Sequence, residues 1–509
     1  MPCGIIMQRF GTIIATEDGP STSGFSFVID KEADVKKGHY VEATTTTGSV
    51  FGMVSEIYRA NRYFERAETV ADYESVSGME KHFPSGTWEY SIAKVRILGS
   101  HRDDKFIRTF SPPSPGNQVF CARNEILKSF LGFVDNGVHL GSIQHHEEPA
   151  KFDMTRLLQK HLAILAMSGA GKSHLSSVML EELLDRKTEG GRMAVVVIDI
   201  HGEYIGFGYD DKYSEQTTVV DCNEMRIPLK YVSSGMIREW LPNLSNPQKE
   251  MLEDVLDRLK KEKQDSEGYS MEDLMEAVEQ SESSQNESVR KALKRGLKNL
   301  ARNGFISSDK EFPRLADSVL PGKMLILDMS EIDNPIKRQA LVAYTARRLL
   351  KLRRQGKIPP FLLLIEEAHN FASNAEAKES IARNVIETIA REGRKFGACL
   401  CLISQRPVNL STTALSQCNS HIILRVTNPY DLDHIQRSSE GIDSHITKSI
   451  TGLRVGEAIV VGEASNHPVF VSVRGRNSQK KEKGKPLADQ AREYEEQKKQ
   501  KDEDVAAFL

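Results

Sequence analysis

The chain has 509 residues, with 68 Lys plus Arg against 71 Asp plus Glu and a formal net charge of −3. At ~150 residues per domain this length suggests about three domains, each able to bury a core. The near-neutral balance gives no sign of bulk nucleic-acid affinity, although a local basic channel fits inside a balanced chain. Six cysteines are scattered without a CxxC pair or zinc-ligand spacing, which suits a reducing cytosol. Cys399 and Cys401 alternate along an expected strand and read as core thiols rather than metal ligands. The first residues lack a signal-peptide layout, and no apolar run approaches the ~18 residues of a membrane span. A soluble cytoplasmic protein is therefore expected.

Residues 1 to about 150 read as a small N-terminal β-barrel or sandwich. Short apolar runs, such as 11–15, 24–30 and 48–54, are separated by turn signals. In 91–99, Ala93, Val95 and Ile97 alternate with Lys94 and Arg96, the period of a half-buried strand. From about 151 the pattern becomes α/β. Near-continuous apolar runs at 161–166, 192–199, 323–329, 361–367, 398–405 and 421–426 predict parallel strands covered on both faces, with helices between most of them.

Residues 240–310 interrupt that alternation. Helical patterns at 246–263, 270–280 and 287–303 predict a helical insertion between two parts of an α/β domain spanning 151–239 and 311–476. Lys291, Lys294, Arg295, Lys298 and Arg302 share one face of the last helix, opposite Leu293, Leu297 and Leu300. That stripe reads as a solvated face, with a DNA-facing ridge as the alternative. Residues 477–509 are dense in charge and predict a helix or partly disordered tail.

The strongest motif runs from His161 to Ser173: an apolar strand, a glycine-rich loop and a helix. Gly169 and Gly171 let the backbone wrap so that successive N–H groups, including that of Ala170, point at phosphate oxygens. The helix N-terminus adds its partial positive charge. Lys172 is expected on the β- and γ-phosphates and Ser173 on Mg²⁺, with His174 completing the loop's ATP-binding set. Ala166 stands where the pattern has its first glycine, a position at the strand end rather than in the cradle.

A P-loop site needs a carboxylate from another strand end. Asp199, Asp328 and the Glu366-Glu367 pair compete. Only the last offers two adjacent carboxylates, so Glu366 is assigned to the magnesium shell and Glu367 to water activation. Gln405, ending a further strand, has the chemistry to sense the γ-phosphate. Arg391 and Arg394 end a helix; they read either as a finger offered to a neighbouring subunit's site, or as cations favoured by the macrodipole. His369, after the acidic pair, reads as structural, with orientation of that pair as the alternative; His145 and His146 carry no assigned role.

Together the segments 166–173, 195–204, 362–371, 391–397 and 402–407 resemble the HerA DNA translocases of archaea, within the HerA–FtsK group of P-loop ATPases. The resemblance covers roughly residues 1–476. It implies a RecA-like motor with a helical-bundle insertion, preceded by a β-barrel, and a hexameric ring that threads double-stranded DNA using ATP and Mg²⁺. It also implies partnership with a NurA-type nuclease in DNA end processing, and no membrane. Lys172, Ser173, Glu366, Glu367, Arg391 and Gln405 match positions with ATPase roles. Lys160 matches a basic position near the nucleotide, where Arg is common in the family. Arg474 and Gly475 match a stretch near the nucleotide. The other readings are a conjugation- or secretion-type motor ATPase and an ATP-gated scaffold that loads a nuclease.

Overall fold

The computed structural model describes residues 8–15, 19–45, 48–61, 64, 89–102, 105–263, 268–281, 287–374, 380–439, 441–480 and 487–508. Two compact units divide the chain: residues 1–183, 368–379 and 386–475 form the first, and 184–367, 380–385 and 476–509 the second.

The first unit opens with a closed barrel. Strands Gly24–Ile29, Arg9–Ile14, Gln118–Cys121, Tyr40–Thr45, Gly48–Asn61 and Glu89–Arg102 follow one another around it, all antiparallel. Closure comes from Gly24–Ile29 pairing with Glu89–Arg102, with Phe27 opposite Ala93. The predicted alternation holds here: Ala93 and Val95 are buried with Phe25, Phe27, Val41 and Val54, while Lys94 and Arg96 face solvent. Full closure leaves no unpaired edge among these six strands.

The same unit carries a mixed sheet ordered Ala398–Ser404, Leu162–Leu165, Ser420–Ile423, Glu457–Gly462, Val469–Val473, Val138–Ile143 and Pro149–Phe152. Its first three strands are parallel and the rest antiparallel. Residues 138–152, which the sequence groups with the β-rich N-terminal region, thus add to this sheet through Val469–Val473. Leu162–Leu165 is buried throughout and lies between two parallel neighbours, as its unbroken apolar run requires. The barrel strand Tyr40–Thr45 reaches the turn after Val138–Ile143 through Tyr40, whose N–H donates to His146 Nε2 at 3.1 Å, and Phe130, on a helix between barrel and sheet in sequence, stacks on His467.

The second unit holds a four-stranded parallel sheet in the order Thr217–Asp221, Met324–Asp328, Ala194–Asp199 and Phe361–Ile365. Between residues 221 and 324 lie helices Ser234–Trp240, Asn246–Glu262, Met271–Glu279 and Glu287–Ala301. Ser270 and Asp273 cap the third reciprocally: the Asp273 N–H donates to Ser270 Oγ at 3.1 Å and the Ser270 N–H to Asp273 Oδ2 at 2.7 Å. In the fourth, Leu293, Leu297 and Leu300 are buried, and Lys291 and Lys294 pair with Glu287 and Glu279. The tail forms a helix at Leu487–Phe508. Among the described residues no helix is long and apolar enough to cross a membrane. Cys121, Cys222, Cys399, Cys401 and Cys418 are free thiols, and Cys3 lies outside the described residues.

Candidate nucleotide site

The phosphate loop leaves its strand at Ala166, whose N–H donates to Ser404 O at 3.2 Å; the next N–H, of Met167, donates to Arg425 O at 2.9 Å. Both neighbouring strands therefore anchor the loop's base. Left-handed backbone falls at Gly169 (φ 77°) and Gly171 (φ 103°), while Ala166 lies outside the left-handed region and needs no glycine. The helix Lys172–Leu184 starts at the loop's end. Leu175, Val178, Met179, Leu180, Leu183 and Leu184 are buried, and so are Ser176, Ser177 and Glu181. The two hydroxyls donate back to the helix, Ser176 to Lys172 O at 2.9 Å and Ser177 to Ser173 O at 2.6 Å. A helix enclosed on every side is a firm base for a loop that must hold its N–H groups in register.

Around this loop the first unit gathers several of the predicted residues. Gln405 is half-buried just past the strand Ala398–Ser404, beside the P-loop strand. His369 Nδ1 lies 3.1 Å from Ser404 Oγ, which also accepts the Arg406 N–H at 3.0 Å. Burial, then the charges of Arg406 and Lys172, hold the His369 imidazole down to about 4, so it is neutral beside the loop lysine. The hydrogen bond to Ser404 gives His369 a structural place at the strand end that anchors the base of the loop.

Arg391 and Arg394 are exposed at the end of the helix Arg383–Glu392 and in the turn after it. Arg391 is held only loosely by Glu387, at 3.9 Å. Lys160 forms an ion pair with Glu463, which also accepts from Asn419. Burial alone raises the Glu463 carboxyl, but the bonds from Lys160 and Asn419, with Arg394 nearby, bring it below its usual range.

Arg474 is oriented toward the P-loop helix. Its guanidinium donates to Glu181 (2.8 Å), Glu182 (2.9 Å), His139 O (3.2 Å), Gly475 O (2.9 Å) and Val178 O (3.5 Å). Those five contacts use the five N–H donors a guanidinium has. The Arg474 carbonyl in turn lies 2.8 Å from His174 Nε2. The last strand's end is thus fastened along the helix from its first turn to its last, and His174 takes part in that fastening.

The acidic residues lie in the second unit. Asp199 accepts the N–H groups of Glu203 (3.0 Å) and Tyr204 (2.9 Å), and Asp328 accepts that of Ser330 (3.0 Å), so both shape their own turns. Glu366 is buried, with Oε2 accepting from Ile200 (3.0 Å) and His201 (3.2 Å). Burial first, and then the charges of Asp199 and Glu203, push its carboxyl well above the usual range. Glu367 is buried and adopts φ 46°, a left-handed conformation that costs a non-glycine residue of order 1–3 kcal/mol and clusters at working sites.

The donor chemistry fits magnesium. Ser173 of the first unit carries a hydroxyl oxygen and Glu366 of the second a carboxyl oxygen, each of the hard kind Mg²⁺ prefers. Among the described residues no group of three or more His, Cys, Asp or Glu could cage an ion unaided.

A glycine loop between a parallel strand and a buried helix is the phosphate-binding frame of a P-loop ATPase. Residues 138–349 match the family model for the central domain of helicase HerA, and residues 13–103 that for the HAS barrel domain. A probable helicase of Methanocaldococcus jannaschii is 29% identical over 468 residues, covering 87% of each chain. The DNA double-strand break repair helicase HerA of Pyrococcus furiosus is 27% identical over 521 residues, covering 92% of each. The helicase of that name from Saccharolobus solfataricus is 26% identical, covering 91% of this chain and 92% of its own. Among solved structures, VirB4 of Thermoanaerobacter pseudethanolicus superposes with a TM-score of 0.55 at 16% identity, over 68% of this chain and 98% of its own, a likeness of fold. Over most of its length the chain is thus similar to the HerA helicases, a group of P-loop ATPases.

Proposed function

We propose that this chain is an ATPase that drives double-stranded DNA through a homo-hexameric ring and works with a NurA-type nuclease in resecting double-strand break ends. The observation that supports this most is the ordered P-loop, Gly169 to Ser173 at the head of a buried helix, in a chain that matches HerA repair helicases over nine-tenths of its length.

In this reading Gly169, Ala170, Gly171 and Lys172 hold the phosphates of ATP, and Ser173 and Glu366 serve Mg²⁺. Glu367 polarises the attacking water, and Gln405 senses the γ-phosphate. Arg391, with Arg394 beside it, completes the neighbouring subunit's site, where such an arginine is worth ~10³–10⁵ in rate. Its exposure and slack ion pair suit a side chain meant for another chain. Lys160 and Arg474 act near the nucleotide through what they hold in place, with Gly475 presenting backbone.

The test is ATP hydrolysis with and without duplex DNA. Stimulation by DNA is expected, and its loss in both Lys172→Ala and Glu367→Gln. A basal rate indifferent to DNA would overturn the translocase reading and favour a secretion motor or a scaffold.

A further inference from the structure

His161 is the residue before the P-loop strand, and two features set it apart. It is buried, at 2% exposure, and it has φ 64°, a left-handed conformation uncommon outside glycine. Its ring bridges two elements distant in sequence. The Leu400 N–H reaches Nδ1 at 3.0 Å, and Nε2 lies 3.0 Å from the Ala390 carbonyl oxygen. An N–H can only donate, so Nδ1 accepts; the proton then resides on Nε2 and is donated to Ala390 O. Burial keeps the ring neutral, which this arrangement requires. Ala390 immediately precedes Arg391, and Leu400 lies in the strand that pairs with the P-loop strand. The preceding residue reinforces the junction: Lys160 pairs with Glu463, whose carboxylate also feels Arg394.

We infer that His161 is a positioning residue which fixes the helix end bearing Arg391 to the P-loop strand, and so sets the arginine that one subunit presents to the next. This rests on the proposal that Arg391 acts in trans within a ring. Through His161 the strand that ends in a subunit's own phosphate loop also holds that subunit's arginine. Movement of the loop on nucleotide binding or release is then passed to the neighbour's site through a single buried ring.

The test uses full-length chains mixed in rings. His161→Asn tolerates the left-handed backbone and keeps an acceptor for Leu400, but is too short to donate to Ala390. His161→Gln reaches far enough to donate. His161→Asn alone is expected to lose about a hundredfold in kcat, the scale of an ångström-level misplacement, with KM for ATP little changed; His161→Gln should recover part of it. Mixed with Lys172→Ala subunits, whose arginine is intact, His161→Asn subunits should regain ATPase activity. Mixed with Arg391→Ala subunits they should not.

A mixture of Lys172→Ala with Arg391→Ala is the control. If that pair fails to regain activity, the trans role of Arg391 falls and the inference with it. If the control recovers while His161→Asn with Lys172→Ala does not, the inference alone is overturned. Full activity of His161→Asn by itself also overturns it, as does recovery of both variants only in unfolded or unassembled form.

Discussion

Arg474 offers two separable roles, ligand to the nucleotide or clasp on the helix that carries the phosphate loop. The side chain is 17% exposed, Glu181 is fully buried, and Glu182 is 22% exposed. Replacing Arg474 by Met takes a 2.8 Å ion pair away from the buried Glu181 carboxylate, a change that costs up to about 3–5 kcal/mol. Exchanging Glu181 for Leu as well removes the buried charge and, by the same reasoning, restores most of that loss, because an apolar pair of similar volume often matches a buried ion pair.

Thermal unfolding and binding of a fluorescent ATP analogue, measured on both variants, distinguish the roles. Arg474→Met is expected to lower the unfolding temperature and weaken nucleotide binding together. Arg474→Met with Glu181→Leu is expected to regain both. A double variant that regains stability yet still binds nucleotide weakly would refute the clasp and make the guanidinium itself a ligand.

Ala166→Gly should leave nucleotide affinity within about twofold of the parent in the same assay, because that position needs neither the space nor the backbone freedom of glycine. Charge reversal of Lys291, Lys294, Arg295, Lys298 and Arg302 should leave DNA-stimulated ATPase nearly intact in a turnover assay; a collapse with assembly preserved would assign the stripe to DNA. Stability should fall on acidification from about pH 6.5 to 4. His39, His146, His161 and His421 are buried, and burial holds each down to about 4. The unfolded chain therefore binds more protons than the folded one within that window, and stability rises with pH there. Unfolding midpoints measured across the window check this, and a flat profile would contradict it.

The elements most legible in the sequence are those whose signal is local. Each apolar run of the α/β region becomes a buried strand, because a parallel strand covered on both faces has no polar side to show. The phosphate loop is legible for the same reason: strand, glycines and helix are contiguous. What depends on distant partners is not written locally. Residues 138–152 look like any other β-hairpin, and only Val469–Val473, more than 300 residues away, gives them a sheet to join. Three strand ends compete for the acidic role on sequence; Asp199, Asp328 and Glu366 all accept backbone N–H groups, and Glu367 has a left-handed backbone, none of which the local sequence announces. His161 carries no sequence signal at all, since neither its left-handed φ nor its two backbone partners can be read from its neighbours.

The place of Leu162–Leu165 between Ala398–Ser404 and Ser420–Ile423 also has a consequence in time. On the ribosome, the strand that feeds the phosphate loop emerges with neither flanking strand yet made. All four strands of the second unit's parallel sheet, the last ending at Ile365, are synthesised before either flank exists. Chains grow at about 5–20 residues per second, so the loop waits on the order of ten seconds or more for its sheet. Until then a nascent chain has the glycines and the lysine of the motif but no fixed cradle. Competence to hold ATP arrives as one of the last events of folding, after much of the machine it powers has been laid down.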